Sequence, residues 1–293
     1  MDMEYKSPKV IAEIGCNHKG EMEIAKELIL LAKQSGADYA KFQKRNSKDL
    51  LTEDQYHAPH PNQSNSYGAT YGAHREYLEF DVDQHQELKT FCEANAIGYA
   101  TSVWDVTSAQ EIVSLHPVFI KVPSACNNHF EMLKVLRDDY KGEVHISLGM
   151  TTKAEEDQII SLFEETGDAK RLVVYSCTSG YPVPFDEVCL LEITRIKAAY
   201  GSRVSEIGFS GHHLGIAVDI AAYALGTPWI ERHFTKDRTW KGTDHAASLE
   251  APGLTKLCRN LKATHQAMTF KPTEILPIEA PQREKLKFRE KLK

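Results

Sequence analysis

The stretch VIAEIGCNHKGEMEIAKELILLAKQSGADYAKFQ, residues 10–43, carries two different periods in one span. VIAEIG from Val10 and YAKFQ from Tyr39 are short runs of nearly continuous apolar character, as a parallel strand covered by helices requires. Between them, EMEIAKELILLAKQSGA places Ile24, Leu28 and Leu31 on one helical face, and Gly36 closes the end. Strand, helix and strand in this order predict one unit of an alternating α/β fold.

The unit recurs. GYATSV from Gly98, VFIKVP from Val118, VHISLG from Val144, LVVYSC from Leu172, IGFSG from Ile207 and WIERHF from Trp229 bring the candidate strands to eight. Helical periodicity fills the intervals near residues 84–95, 106–115, 130–138, 153–166, 186–199, 214–225 and 253–267. Eight strands alternating with eight helices predict a closed (β/α)8 TIM barrel; an open doubly wound sheet is the other topology the pattern allows. A length of 293 residues suits one such barrel.

Two segments fall outside the alternation. Residues 46–82 form a long polar and aromatic excursion after the second strand, where a βα loop lies over the barrel mouth as a lid or rim. From Phe270 the chain turns proline-punctuated and ends basic, which predicts an extended arm with a short helix. The expected organisation is a catalytic barrel over 1–269 and an extension over 270–293.

Hydrophobic and charged fractions of 42% and 26% are those of a globular protein with a sizeable core. A net charge of -6 argues against a general nucleic-acid or membrane-surface binder, since a polyanion needs a surplus of Lys and Arg. The opening MDMEYKSPKVIAEIG has no basic segment followed by a long apolar one, and no run reaches the roughly 18 apolar residues of a membrane span. A cytoplasmic protein is expected. The six cysteines are scattered without a CxxC pair and read as reduced thiols.

In a barrel of this kind the chemistry gathers at the C-terminal strand ends. Those ends carry Glu13, Lys41, Gln43, Ser102, Lys121, Ser124, Ser147, Tyr181, Ser210, His212 and His233, with Asp244 just beyond. Lys41 and Lys121 interrupt apolar strands, where an unpaired charge costs several kcal/mol. With the serines as neutral donors, a phosphate or carboxylate ligand is the expected partner, ahead of an internal salt bridge to Glu13. His212 and His233 end successive strands, so both imidazoles can reach one ion. Two protein ligands leave positions for water or substrate, which suits a catalytic Mn2+ or Mg2+ better than structural zinc. His213 is expected to face outward.

The runs AEIGCNHKG, GADYAKFQ, KVPSA, SLGMTT, YPVP, GFSGHH and IERHFTKDRTWKGTDHAASL, in consistent order from about residue 8 to residue 266, resemble the N-terminal catalytic domain of the sialic acid synthase family, the phosphoenolpyruvate-dependent nonulosonate synthases. The resemblance implies a (β/α)8 barrel that condenses phosphoenolpyruvate with an open-chain sugar aldehyde of the N-acetylmannosamine kind, yielding a 3-deoxy-2-ulosonic acid and phosphate. It implies that His212 and His233 hold the divalent ion, Mn2+ first, with Mg2+ or Co2+ as substitutes. It assigns Lys41, Ser102, Lys121, Ser124, Ser147 and Ser210 to phosphoenolpyruvate. Gln43, Tyr181 and Asp244 go to the sugar, and Glu13, Lys41 and His233 to catalysis.

Departures concentrate in the sugar half. Cys126 replaces an acidic residue, Ser179 an asparagine and Gly211 an aspartate. Family members of the bacterial type continue into an antifreeze-like domain that reaches the partner subunit's sugar, whereas this sequence ends at Lys293. The expectation is a homodimer whose acceptor lacks the usual N-acyl contact, is closed over by the 46–82 excursion, or is bound by a separately encoded antifreeze-like domain. A phosphorylated acceptor would draw on further cations, with Arg75 or Lys241 as candidates. The competing classes are a metal-dependent hydrolase or lyase, which needs a fuller ligand set, and a non-catalytic sugar-binding barrel, which should have lost Glu13, Lys41 and His233.

Overall fold

Eight parallel strands close on themselves in chain order: β1 (Lys9–Gly15), β2 (Tyr39–Lys44), β3 (Gly98–Val103), β4 (Phe119–Val122), β5 (Glu143–Ser147), β6 (Leu172–Cys177), β7 (Glu206–Gly211) and β8 (Trp229–His233). The computed structural model describes residues 5–288. Closure is made by β1 pairing with β8, and it settles the topology in favour of the barrel over the open sheet.

Because strand side chains alternate, every second residue points into the barrel. Ile11, Ala100, Phe119, Val173, Tyr175 and Trp229 form the packed interior. His145 lies among them, stacked on Phe119 at a centroid distance of 3.9 Å. The alternate residues, such as Val10, Ala12 and Ile14 on β1 or Val144 and Ile146 on β5, pack outward beneath the helices. The two sets explain why the strands read as nearly continuous apolar runs. One step of two beyond the interior layer come Glu13, Lys41, Ser102, Lys121, Ser147, Ser210 and Glu231, so the period that builds the core also delivers polar groups to the mouth.

The covering helices are Met22–Gln34, Val82–Ala94, Val106–Ser114, Phe130–Asp138, Lys153–Glu164, Glu192–Tyr200, Ala217–Ala224 and Ala251–Ala267. Two start later than their periodicity predicts. Cys189 has a φ of 51°, which breaks the helix expected from 186, and Gly215 has a φ of 78°, which delays the next one to Ala217.

The 46–82 excursion is a structured rim. It contains short helices over Ser47–Leu50, Glu53–His57 and Tyr71–Leu78, each with a side-chain N-cap, from Asn46, Thr52 and Thr70. Asp105 caps the helix Val106–Ser114 through Ser108 N at 2.7 Å and accepts from Asn46 N at 2.7 Å, which ties the rim's start to β3. Arg45 pairs with Glu79 at the rim's base, and the Tyr67 hydroxyl donates to Lys241 O at 2.6 Å across the mouth.

Beyond residue 268 the chain has a short helix over Ala280–Leu286, with Phe270, Ile278 and Phe288 exposed; residues 289–293 of the expected extension lie outside the described residues. No described helix is long and apolar enough to cross a membrane. All six cysteines are free.

Candidate active site at the C-terminal mouth of the barrel

A cavity of about 370 Å³ opens at the C-terminal ends of the strands, within the size range of small-ligand sites. The candidates placed at the strand ends from the sequence line it: Glu13, Lys41, Gln43, Ser102, Lys121, Ser124, Ser147, Tyr181, Ser210, His212, His233 and Asp244. Strand register brings them together, with Glu13 beside both Lys41 and His233, and Ser102 beside both Gln43 and Lys121.

The floor is a buried charge cluster. Lys41 and Lys121 are each 2% exposed. Lys41 pairs with Glu13, donates to the Ser102 hydroxyl at 2.6 Å and lies 3.6 Å from a Glu231 oxygen. Lys121 bonds Glu231 at 2.8 Å, sits 4.3 Å over the Tyr175 ring, and shares Glu231 Oε1 with the Ser210 hydroxyl, which donates at 2.9 Å. Glu13 and Glu231 thus pair with the lysines inside the protein.

The electrostatics follow from this arrangement. Burial lowers the Lys41 pKa, but the pull of Glu13 and Glu231 outweighs it and leaves the ammonium above its ordinary value. Lys121 ends below its ordinary value, because burial and the repulsion of Lys41 outweigh Glu231. Burial pushes the Glu231 carboxyl up, yet Lys121 and Lys41 hold it well below the usual carboxylate range. Glu231 is thus a working member of the site that the sequence reading passed over. The signal was present: it interrupts an apolar strand, as Lys41 does, and lies two residues before His233 on the same inward face.

His212 and His233 sit at the ends of β7 and β8 with ring centroids 5.4 Å apart, and Tyr181 lies 4.4 Å from the first and 5.9 Å from the second. His212 Nδ1 lies 3.1 Å from Thr178 O; its proton donates to that carbonyl, and the lone pair of Nε2 is left for a cation. Burial and the neighbouring His233 hold His212 at about 3, neutral as a metal ligand must be. His233 Nδ1 is buried without a hydrogen-bond partner, and an Asp244 carboxylate oxygen is 3.9 Å away. The pair therefore fits a divalent ion. Among the described residues no group of three or more His, Cys, Asp or Glu side chains converges as a metal cage.

His213 does not face outward. It is fully buried, with Nε2 accepting from Arg232 at 3.1 Å and 3.2 Å from Asp219. Residues 28–272 match the NeuB family. The chain belongs to the NeuB family.

Its NeuB-family relatives include human N-acetylneuraminate-9-phosphate synthase, 36% identical over 94% of this chain and 76% of that one. The N,N'-diacetyllegionaminic acid synthase of Campylobacter jejuni is 32% identical over 90% of this chain and 78% of its own. The solved N-acetylneuraminic acid synthetase of Leptospira borgpetersenii, in complex with citrate, shares the fold with a TM-score of 0.81 at 24% identity, covering 97% of this chain and 94% of that one. The chain is a synthase of the NeuB-family type and so an enzyme.

Gly211, Cys126 and Ser179, the three positions expected from the sequence to alter the sugar half, sit in distinct surroundings. A Cβ on Gly211 would stand 2.8 Å from the Phe209 ring and 2.9 Å from the His213 ring, so the buried His213 occupies the space a side chain at 211 would need. Cys126 is buried, its thiol turned to Val103 O and Pro123 O, and is not among the residues that line the cavity. Ser179 does line it, beside Tyr181.

Proposed function

We propose that the chain joins phosphoenolpyruvate to an open-chain sugar aldehyde, forming a carbon–carbon bond and releasing phosphate, to give a nonulosonic acid. The observation that carries this reading is the pairing, in one cavity, of a buried two-lysine cluster with a two-histidine cation site. An anion of high charge and a polarised carbonyl each find a partner there. In the ligand's presence Lys41 and Lys121 bind its phosphate and carboxylate, with Ser102, Ser124, Ser147 and Ser210 as neutral donors. A divalent ion on His212 and His233, Mn2+ first, supplies Lewis acidity to the aldehyde oxygen when bound.

The residues then perform a sequence that balances. The enol carbon C3 of phosphoenolpyruvate attacks the aldehyde carbon, and positive charge develops at C2. Water adds at C2 and gives a proton to Glu13, which Gln43 orients through a 2.8 Å bond to Oε1. The tetrahedral carbon collapses to the ketone as its C–O bond to phosphate breaks; its hydroxyl proton leaves with the phosphate, and the proton held by Glu13 passes to the former aldehyde oxygen, which becomes the new hydroxyl. In this reading Tyr181 and Asp244, which lie beside His212 and His233, meet the sugar.

The test is phosphate release from phosphoenolpyruvate with Mn2+, over a panel of free and phosphorylated hexoses with and without N-acetyl groups. Acceptor-dependent phosphate with a product three carbons longer than the sugar is the expected result. No phosphate with any acceptor from folded, Mn2+-loaded protein overturns the reading.

A further inference from the structure

We propose that His60, His74 and Arg75 form an anion subsite at the outer end of the cavity, which reads a phosphate monoester on the acceptor sugar. All three line the same cavity as Lys41 and His233, but they come from the rim that follows β2. The identification of the ligand as the acceptor rests on the synthase reading above. The subsite itself rests on two separate observations.

The first is a pair of histidines fixed through Nδ1. His60 is 6% exposed and His74 5%, and their rings lie 4.4 Å apart. His60 Nδ1 accepts from Asn62 N at 3.0 Å, and His74 Nδ1 accepts from Tyr67 N at 3.0 Å. An imidazole that accepts at Nδ1 carries its proton on Nε2 when neutral. Neither Nε2 has a hydrogen-bond partner among the described residues. Burial, His60, Arg45 and Lys241 push His74 down to about 4, so this ring stays an uncharged donor at neutral pH.

The second is an arginine without a carboxylate. Among the described residues Arg75 forms no salt bridge, whereas Arg45 in the same wall is paired with Glu79. Its guanidinium bonds the Tyr71 hydroxyl at 3.1 and 2.6 Å and lies over the Tyr71 and Trp104 rings, at 5.1 and 5.7 Å. Aromatic faces hold the planar fork in place without neutralising it. The inner cluster is balanced, two lysines against two carboxylates, so the surplus positive charge of the cavity is at this outer end.

Three donors on separate side chains match a tetrahedral group with three free oxygens better than a planar carboxylate with two. Lys241, the other cation considered from the sequence, is not among the lining residues and sits over the Tyr67 ring at 4.8 Å.

The experiment compares N-acetylmannosamine 6-phosphate with N-acetylmannosamine, both as acceptors in condensation and as ligands by calorimetry on the Mn2+-loaded protein. Wild type is expected to prefer the phosphorylated sugar, and Arg75→Gln to reduce that preference about 100-fold, the size of a lost charge-assisted contact. Arg75→Lys should retain part of it, and His60→Asn, whose amide oxygen can still accept from Asn62 N, should reduce it about tenfold. Equal response to the two sugars, including no response to either, overturns the subsite. Phosphate release with no acceptor of the whole panel, alongside an Arg75-dependent calorimetric preference, overturns the synthase reading and leaves the subsite standing.

Discussion

Glu231 holds two lysines at once, and that double duty makes it the most informative single residue to change. With Glu231→Gln, Lys121 loses the one carboxylate it pairs with among the described residues, and Lys41 keeps Glu13. Removing one partner of a buried pair leaves an uncompensated charge, so the variant should lose about 3 kcal/mol in urea denaturation. An incoming anion can replace the missing carboxylate. Phosphoenolpyruvate should therefore raise the thermal midpoint of Glu231→Gln by more than it raises that of wild type. An equal shift in both proteins would show that the lysines do not reach the anion. Most of the site was legible at this scale, because Lys41, Lys121, His212 and His233 each violate the apolar pattern of a strand or stand at its end. Glu231 violates the same pattern, but it sits within IERHF next to the more conspicuous His233. What the pattern does not carry is pairing: two lysines and two glutamates in four strands do not say which carboxylate each lysine meets until the register is known.

At the scale of elements, the loop after β7 and the strand β8 are bound by one arginine. Arg232 Nη1 donates to Asp219 at 2.6 Å and to Gly215 O at 2.8 Å, and Nη2 donates to His213 O at 2.6 Å. Arg232 stands next to His233, and its partners begin one residue after His212, so this clamp fixes both histidines against each other. Neither Arg232 nor Asp219 stood out beforehand, since the pattern of one strand or one helix does not say what its charged residue meets until the barrel closes around it. Asp219→Ala should cost about 3 to 5 kcal/mol in urea denaturation, the cost of a buried charge stripped of its partner. A loss below about 1 kcal/mol would mean that the carbonyl bonds alone hold Arg232. The rim over 46–82 is the opposite case. Its position over the mouth follows from the place of the excursion in the alternation, but its three short helices lack the length at which periodicity becomes readable, and only their caps mark them.

For the whole molecule, the barrel was readable because one βαβ pattern recurs through eight strands, while its closure, which the pattern leaves open, is made by the pairing of β1 with β8. The interior differs from the usual aliphatic filling in a way that has consequences for acid stability. His145 lies inside the barrel between Phe119, Trp229 and Tyr175, while His18, in the loop after β1, and His85, on the helix Val82–Ala94, pack against Phe42 and Phe80; all three are almost wholly removed from water. Burial, the largest cause in each case, lowers His18 to about 3, His85 to about 3 and His145 to about 4. Each folded-state value is below the unfolded one, so the stabilisation is complete above pH 6.5 and declines as the unfolded chain takes up protons that the folded chain refuses. Carboxylates titrate lower, with unfolded values near 4. Between pH 6 and about 4.5 the decline is therefore set by histidines, at roughly 1.4 kcal/mol per pH unit for each one. Replacing His85 by Phe removes one of these groups and unpairs the Tyr99 hydroxyl, 2.8 Å from its Nδ1. The variant should be less stable at pH 7, yet its stability should fall more shallowly with acid, by about 1.4 kcal/mol per pH unit in urea titrations across that window. An unchanged slope would show that His85 takes up its proton in the folded protein, through an opening of the helix Val82–Ala94 that the closed barrel does not require.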